Sequence, residues 1–184
     1  MMFRLLDILF STIGLVLTFP FLIMLTCVGF FDTGSPIFRQ VRVGRNKKPF
    51  TLIKFRTMKP DTASVASHLA SASSITPFGS FLRKTKLDEL PQLWNVFKGE
   101  MSLVGPRPCL FSQEELIAER DLRKVFNFRP GITGLAQVND IDMSTPVLLA
   151  ETDQKMLSNL SLKDYFKYIF MTVAGKGAGD RVRR

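Results

Sequence analysis

Histidine is almost absent from this chain. His68 is the only one in 184 residues, and it lies in a polar stretch rich in alanine and serine. A single imidazole excludes histidine-rich metal sites and leaves histidine acid–base chemistry with little to work from. Cysteine is nearly as scarce: Cys27 and Cys109 make neither a disulfide framework nor a metal cluster. Cys27, inside an apolar run, reads as a small packing residue. Acidic residues are outnumbered, 16 Asp and Glu against 25 Lys and Arg, for a formal net charge of +9. That excess invites anionic partners: nucleic acid, acidic lipid or phosphorylated substrates. The basic residues come in short groups with no helix-turn-helix, zinc or RNP pattern around them, which argues against nucleic acid. No internal repeat is visible.

What the chain has in quantity is an uncharged apolar run of 24 residues, Ile8 to Phe31. It is long enough to cross about 30 Å of hydrocarbon as a helix. It is too long for a signal-peptide core, and no clear small-residue cleavage site follows it. Pro20 falls in its middle, where it removes one backbone hydrogen bond and bends the helix. Arg4 precedes the run, and Arg39, Arg42, Arg45, Lys47 and Lys48 follow it. Positive charge on both flanks favours keeping both ends in the cytosol. A re-entrant hairpin kinked at Pro20 satisfies that preference; an ordinary span with a proline kink is the alternative.

After the run, residues 35–45 and 50–58 alternate apolar and polar around a turn at Asn46–Pro49, the pattern of a β-hairpin. Its Arg and Lys form either a solvated face or an anion cradle of Arg42, Lys54 and Arg56. Residues 61–76 read as a loop, followed by a short helix from Pro77 to Arg83. Then comes the most informative stretch, Lys84-Thr85-Lys86-Leu87-Asp88-Glu89-Leu90-Pro91-Gln92-Leu93-Trp94-Asn95. It sets two adjacent carboxylates between the basic run Arg83, Lys84 and Lys86 and a helix opening near Pro91 and running to Phe97. The helix dipole and the cations favour ionised acids there. An exposed, ionised carboxylate serves as nucleophile, base or magnesium ligand; Asp88 as a plain N-cap is the alternative.

Gly99 to Pro108 is turn-rich and holds Arg107 between prolines, a rigid setting suited to phosphate. Ser112-Gln113-Glu114-Glu115 has the pattern of a capping box, opening a helix to about Phe126. Arg129 to Gly134 is a second basic turn. A helix from Pro146 to Asn159 carries Glu151 and Asp153. Leu162, Tyr165, Phe166, Ile169, Phe170 and Val173 recur at helical spacing, fitting either a membrane-interface helix or a core helix. The glycine-rich basic tail, residues 175–184, suits anionic headgroups.

These stretches together resemble the bacterial sugar transferases of the small monotopic phosphoglycosyl transferase type. The matching pieces, in order, are Arg4-Leu5-Leu6-Asp7, Pro20 within the apolar run, and Lys54-Phe55-Arg56-Thr57-Met58. They continue with Leu87 to Asn95, Ser102-Leu103-Val104-Gly105-Pro106-Arg107-Pro108, and Arg129-Pro130-Gly131-Ile132-Thr133-Gly134. The resemblance covers nearly the whole chain. It implies transfer of a phosphosugar from a UDP-sugar to polyprenyl (undecaprenyl) phosphate, releasing UMP, with magnesium and a covalent aspartyl phosphosugar intermediate. Such a step opens the assembly of O-antigen, exopolysaccharide or another glycoconjugate.

Carried over by motif, Asp88 is the nucleophile and Glu89 its catalytic partner. Lys54, Arg56, Arg83, Arg107 and Arg129 are expected to contact phosphates or the uridine end, with Asp153 nearby, and Asp88, Glu89 and Asp153 to hold the metal. The resemblance also implies an α+β fold. A re-entrant membrane helix would occupy residues 1–32. A compact cytosolic and interfacial catalytic domain with amphipathic helices and a small β-hairpin would occupy residues 33–184. The expected location is the bacterial inner membrane with the site facing the cytoplasm, among anionic lipids, with a homodimer left open. No N-terminal transmembrane bundle of the larger relatives precedes the run, so the chain looks like the minimal catalytic form.

Two departures stand out. After Gln137-Val138-Asn139 many relatives carry Gly-Arg where this chain reads Asp140-Ile141, and Leu157 replaces a frequent tyrosine. A catalytically silent scaffold for glycosyltransferases is the competing reading, and the intact Asp88-Glu89 pair argues against it.

Overall fold

The structure, a computed structural model, describes residues 2–62 and 72–177. The stretch around His68 and the end of the basic tail lie outside the described residues. The architecture is mixed helix and sheet, opening with one long apolar helix. By contacts the chain divides into two compact units, residues 1–40 with 51–98 and residues 41–50 with 99–178.

The hairpin appears where the alternation places it. β1 (Ile37–Val43) and β2 (Pro49–Phe55) form a two-stranded sheet joined by a 3-10 turn at Arg45–Lys47. So short a connection permits only antiparallel pairing. Of the two readings of its basic residues, a fully solvated face does not form: Gln40, Arg42 and Lys54 are buried, whereas Arg39 and Val41 are exposed.

In the first unit, α1 (Met2–Thr33) is a single assigned helix of 32 residues, about 48 Å long at 1.5 Å per residue, with Pro20 inside it. It is long and apolar enough to cross a membrane. Both of its ends are tied to the same unit. Arg4 donates through Nη1 to the Val96 carbonyl at 2.6 Å and through Nη2 to that of Phe97 at 2.8 Å, at the end of α3 (Gln92–Lys98). Near the other end, Leu25 packs with Phe55 and Leu82, and Asp32 accepts from Thr76 Oγ1 at 2.7 Å. Burying an apolar side chain such as Leu82 contributes about 2 kcal/mol. Between these anchors the apolar side chains face outward: Val16 is 68 % exposed, Leu17 74 % and Phe19 60 %. Cys27 is exposed on this helix, so the packing role read for it is not what the structure shows.

Still in this unit, α2 (Pro77–Thr85) starts where the sequence signals it, with Pro77 in its first turn and Thr76 capping it by accepting from Gly79 N at 2.9 Å. It stops because Lys86 takes the left-handed conformation, φ 59°, and turns the chain into Leu87-Asp88-Glu89.

The second unit holds a pairing that the sequence did not signal. β3 (Ser102–Val104) and β4 (Gly131–Thr133) run parallel, Ser102 opposite Gly131 and Val104 opposite Thr133. Both lie in stretches that read as turns, because three residues are too few for periodicity to register. The two backbones approach so closely that a Cβ on Gly131 would lie 2.0 Å from the Gly105 nitrogen, so only glycine fits.

Around this pair stand α4 (Glu114–Leu122), α5 (Leu135–Val138), α6 (Pro146–Ser158) and α7 (Leu162–Val173). Their core gathers Val43, Cys109, Leu116, Phe126, Ala136 and Leu149. The capping box expected at Ser112 does not form: Gln113 occupies the cap position and its Oε1 accepts from Leu110 N at 2.9 Å. A reciprocal box forms instead at α7, between Ser161 and Asp164. That helix buries Tyr165 and Tyr168 and leaves Leu162, Phe166, Phe170 and Val173 exposed at i, i+4, i+8 and i+11, along one face.

Candidate active site

Asp88 sits in the 3-10 turn Leu87–Glu89, between α2 and α3, and is only 4 % exposed, in place of the exposed carboxylate expected there; Glu89 is half-buried. The dyad therefore precedes α3 by a turn, and Asp88 does not cap that helix, which begins at Gln92. Behind it, Gln92 and Asn95 are buried on α3. Asn95 is fixed from both sides: its Oδ1 accepts from Ile53 N at 3.1 Å and its Nδ2 donates to Thr51 O at 2.8 Å. The helix that follows the dyad is thus bolted to β2 by one amide side chain.

Three of the expected cations lie in the same unit as the dyad. The Lys54 ammonium lies 5.8 Å from the centre of the Phe38 ring, and the Arg56 guanidinium 5.5 Å from it. Arg56 Nε also donates to the Ser35 carbonyl at 2.8 Å. Arg83 donates through Nε to Thr57 Oγ1 at 2.9 Å. Phe38, an aromatic beside Arg39 in a strand that also carries Arg42, is the shared platform. Arg42 does not join the cradle. It is buried in the other unit and donates through Nη1 to the Pro108 carbonyl at 3.1 Å, because that loop offers its guanidinium an acceptor.

In the second unit, Arg107 and Arg129 are half-buried, and Arg129 Nε donates to the Gly99 carbonyl at 2.8 Å. Asp153 is withdrawn altogether: it is 0 % exposed, and its Oδ2 accepts from Arg120 Nε at 3.0 Å and Nη2 at 2.7 Å. Burial pushes the Asp153 carboxyl above the usual carboxylate range, against the opposing pull of Arg120. Burial likewise raises the Cys109 thiol, with Arg120 and Arg42 acting the other way. As described, the Asp153 carboxylate reaches Arg120 and not solvent. Among the described residues no three His, Cys, Asp or Glu side chains gather into a group able to hold a metal. A magnesium ion needs less than that: one or two carboxylates suffice when substrate phosphates complete its shell. Asp88 and Glu89 are two carboxylates adjacent in the chain.

Asp140 has φ 58°, the left-handed region that glycine favours. Aspartate tolerates that region better than most residues, so the turn survives at a cost of about 1 kcal/mol.

The chain as a whole is similar to known proteins. The family model described as bacterial sugar transferase matches residues 1–176. The uncharacterized sugar transferase EpsL of Bacillus subtilis is 39% identical over 171 residues, covering 92% of this chain and 84% of that protein. The UDP-glucose:undecaprenyl-phosphate glucose-1-phosphate transferase of Klebsiella pneumoniae is 40% identical over 182 residues. The undecaprenyl-phosphate galactose phosphotransferase of Salmonella typhimurium is 36% identical over 189 residues. The chain covers 39% of each of these last two proteins, and 40% of an uncharacterized sugar transferase of Haemophilus influenzae. With the whole described fold inside the matched region, the chain belongs to the bacterial sugar transferase family.

Proposed function

We propose that the protein is a phosphoglycosyl transferase that moves a phosphosugar from a UDP-sugar to undecaprenyl phosphate, with Asp88 as nucleophile. The observation that carries this reading is the Asp88-Glu89 pair, held on a 3-10 turn inside the region that the family model matches and in one unit with Lys54, Arg56 and Arg83. The names of the Klebsiella and Salmonella relatives support the substrate classes.

In the first half-reaction an Asp88 carboxylate oxygen attacks the sugar-bearing phosphorus. A new P–O bond forms, the pyrophosphate P–O bond breaks, and UMP leaves with the electron pair. In the second, an oxygen of polyprenyl phosphate attacks the same phosphorus, and the aspartyl oxygen leaves as carboxylate. Splitting the transfer in two lets one site serve two bulky substrates in turn. Phosphoryl transfer of this kind depends chiefly on positioning and on cations that balance the phosphate charge. Lys54, Arg56 and Arg83 are assigned that work, with Arg107 and Arg129 on the donor's phosphates or uridine end. Magnesium held by Asp88 or Glu89 together with the donor phosphates would supply further charge neutralisation. Glu89 otherwise orients the acceptor or the aspartyl carboxylate.

The membrane reading follows from α1. Its two ends are anchored on one unit while Val16, Leu17 and Phe19 at its middle face outward. That pattern supports a helix that dips into the bilayer at Pro20 and returns, with both ends on the cytoplasmic side, rather than a span that leaves the domain behind. In the second unit, the exposed apolar stripe of α7 supports contact with a membrane interface. Purified protein in detergent with magnesium, a panel of UDP-sugars and undecaprenyl phosphate should release UMP. Asp88→Asn should abolish release while the protein still fractionates with membranes. Membrane binding with no turnover by the natural chain on any donor would favour the silent scaffold.

A further inference from the structure

The loop that carries Arg107 has no regular secondary structure, yet five successive carbonyls in it are each bonded. Gly105 O accepts from Gln137 Nε2 at 3.2 Å, Pro106 O from Gly131 N at 2.8 Å, and Arg107 O from Arg120 Nη1 at 2.8 Å. Pro108 O accepts from Arg42 Nη1 at 3.1 Å and Cys109 O from Val43 N at 2.9 Å. Gly105, Pro106, Pro108, Cys109 and Leu110 are buried, and Arg107 alone in the segment is not. The two prolines fix φ on either side of it. Two of the five donors are guanidiniums taken out of solvent, Arg120 at 1 % exposure and Arg42 at 7 %. Burying such a group is expensive unless it is fully engaged. Arg120 is engaged by Asp153 through Nε and Nη2, which aims its remaining Nη1 at the Arg107 carbonyl.

We infer that Arg120, braced by Asp153, is a positioning residue that locks the Gly105–Cys109 loop and so presets the Arg107 side chain for the donor phosphates. The inference rests on the proposed assignment of Arg107 to those phosphates. It gives Asp153 a role through Arg120, in place of direct contact with metal or substrate. Arg42 supports the same loop one residue further on.

The test uses the full chain in detergent and four variants: Arg107→Ala, Arg120→Lys, their combination, and Arg42→Lys. Lysine keeps the charge but lacks the planar fork that reaches Asp153 and the Arg107 carbonyl together. Hydrogen exchange is followed at the amides of Arg107 and Cys109, and donor KM and kcat are taken from UMP release. Arg120→Lys should speed exchange in the loop and raise donor KM about tenfold with kcat changed far less, the mark of lost ground-state binding. In the Arg107→Ala background the same change should cost less than about twofold, since its effect passes through Arg107. Equal losses in both backgrounds, or native exchange in Arg120→Lys, would overturn the inference. Should Arg120→Lys fail to fold, Arg42→Lys is read against the same criteria. No UMP release by the natural chain would sink the transferase reading instead, and loop exchange, which needs no substrate, would still decide whether Arg120 locks the loop.

Discussion

Arg120 meets Asp153 as a two-pronged pair, Nε and Nη2 sharing one carboxylate oxygen at 3.0 and 2.7 Å, with both side chains removed from solvent. Asp153 Oδ1 makes no hydrogen bond among the described residues. The pair links α4 to α6, so it fastens the second unit internally as well as supporting the Arg107 loop.

Removing one partner of such a pair leaves a buried charge uncompensated. Asp153→Ala should therefore destabilise the protein by about 3–5 kcal/mol. Replacing both partners with Arg120→Met and Asp153→Leu should cost markedly less. Thermal unfolding in detergent distinguishes the two, and equal losses would show that the charge pair is not the source.

At Gly131 the expected effect is steric. A methyl group there would sit 2.0 Å from the Gly105 nitrogen, and both neighbours are backbone that cannot swing away. Gly131→Ala should lose at least about 1–3 kcal/mol and disturb the β3–β4 pairing. Loss of amide protection at Gly105, whose N–H bonds Thr133 O at 2.8 Å, is the direct readout.

The α7 cap is pH-dependent. The hydrogen bond from the Ser161 hydroxyl, aided by the Ser161 backbone, Lys167 and Lys163, holds the Asp164 carboxyl below the usual carboxylate range. A depressed carboxyl stabilises the fold above its unfolded value, and that contribution disappears as pH falls through the folded value. Amide exchange in the first turn of α7 should accelerate on acidification across that window, and Asp164→Asn should flatten the response. A chemical-shift titration of Asp164 gives the value directly.

Cys109 is 0 % exposed, and burial raises its thiol above the ordinary value. Little thiolate forms at pH 8, and reagents lack access, so Cys109 should resist iodoacetamide in the folded protein and react on denaturation. Peptide mass after labelling reads this. Modification under native conditions would contradict the described core.

Helices and hairpin were legible in the sequence wherever a local signal existed. Pro77 after Thr76, the apolar spacing of Leu162–Val173 and the alternation of residues 35–58 each mark an element that the structure contains. The β3–β4 pair was not legible, because its partners lie 29 residues apart and only a close backbone crossing at Gly105 and Gly131 joins them. Asp88 and Glu89 stood out by their setting among cations and prolines. Arg120 did not: on sequence it is one more cation on an amphipathic helix, and only the fold shows it buried against Asp153. Arg42 misled for a related reason, since alternation assigns a residue to a face but cannot say which face a loop will cover.

The central claim is that Asp88 carries the sugar phosphate. Intact-protein mass after incubation with magnesium and UDP-sugars, without lipid acceptor, tests it most directly. With Asp88 as nucleophile, an added phosphosugar mass should form, be absent in Asp88→Asn and be discharged by undecaprenyl phosphate. UMP release and lipid-linked product at full rate from Asp88→Asn would contradict it.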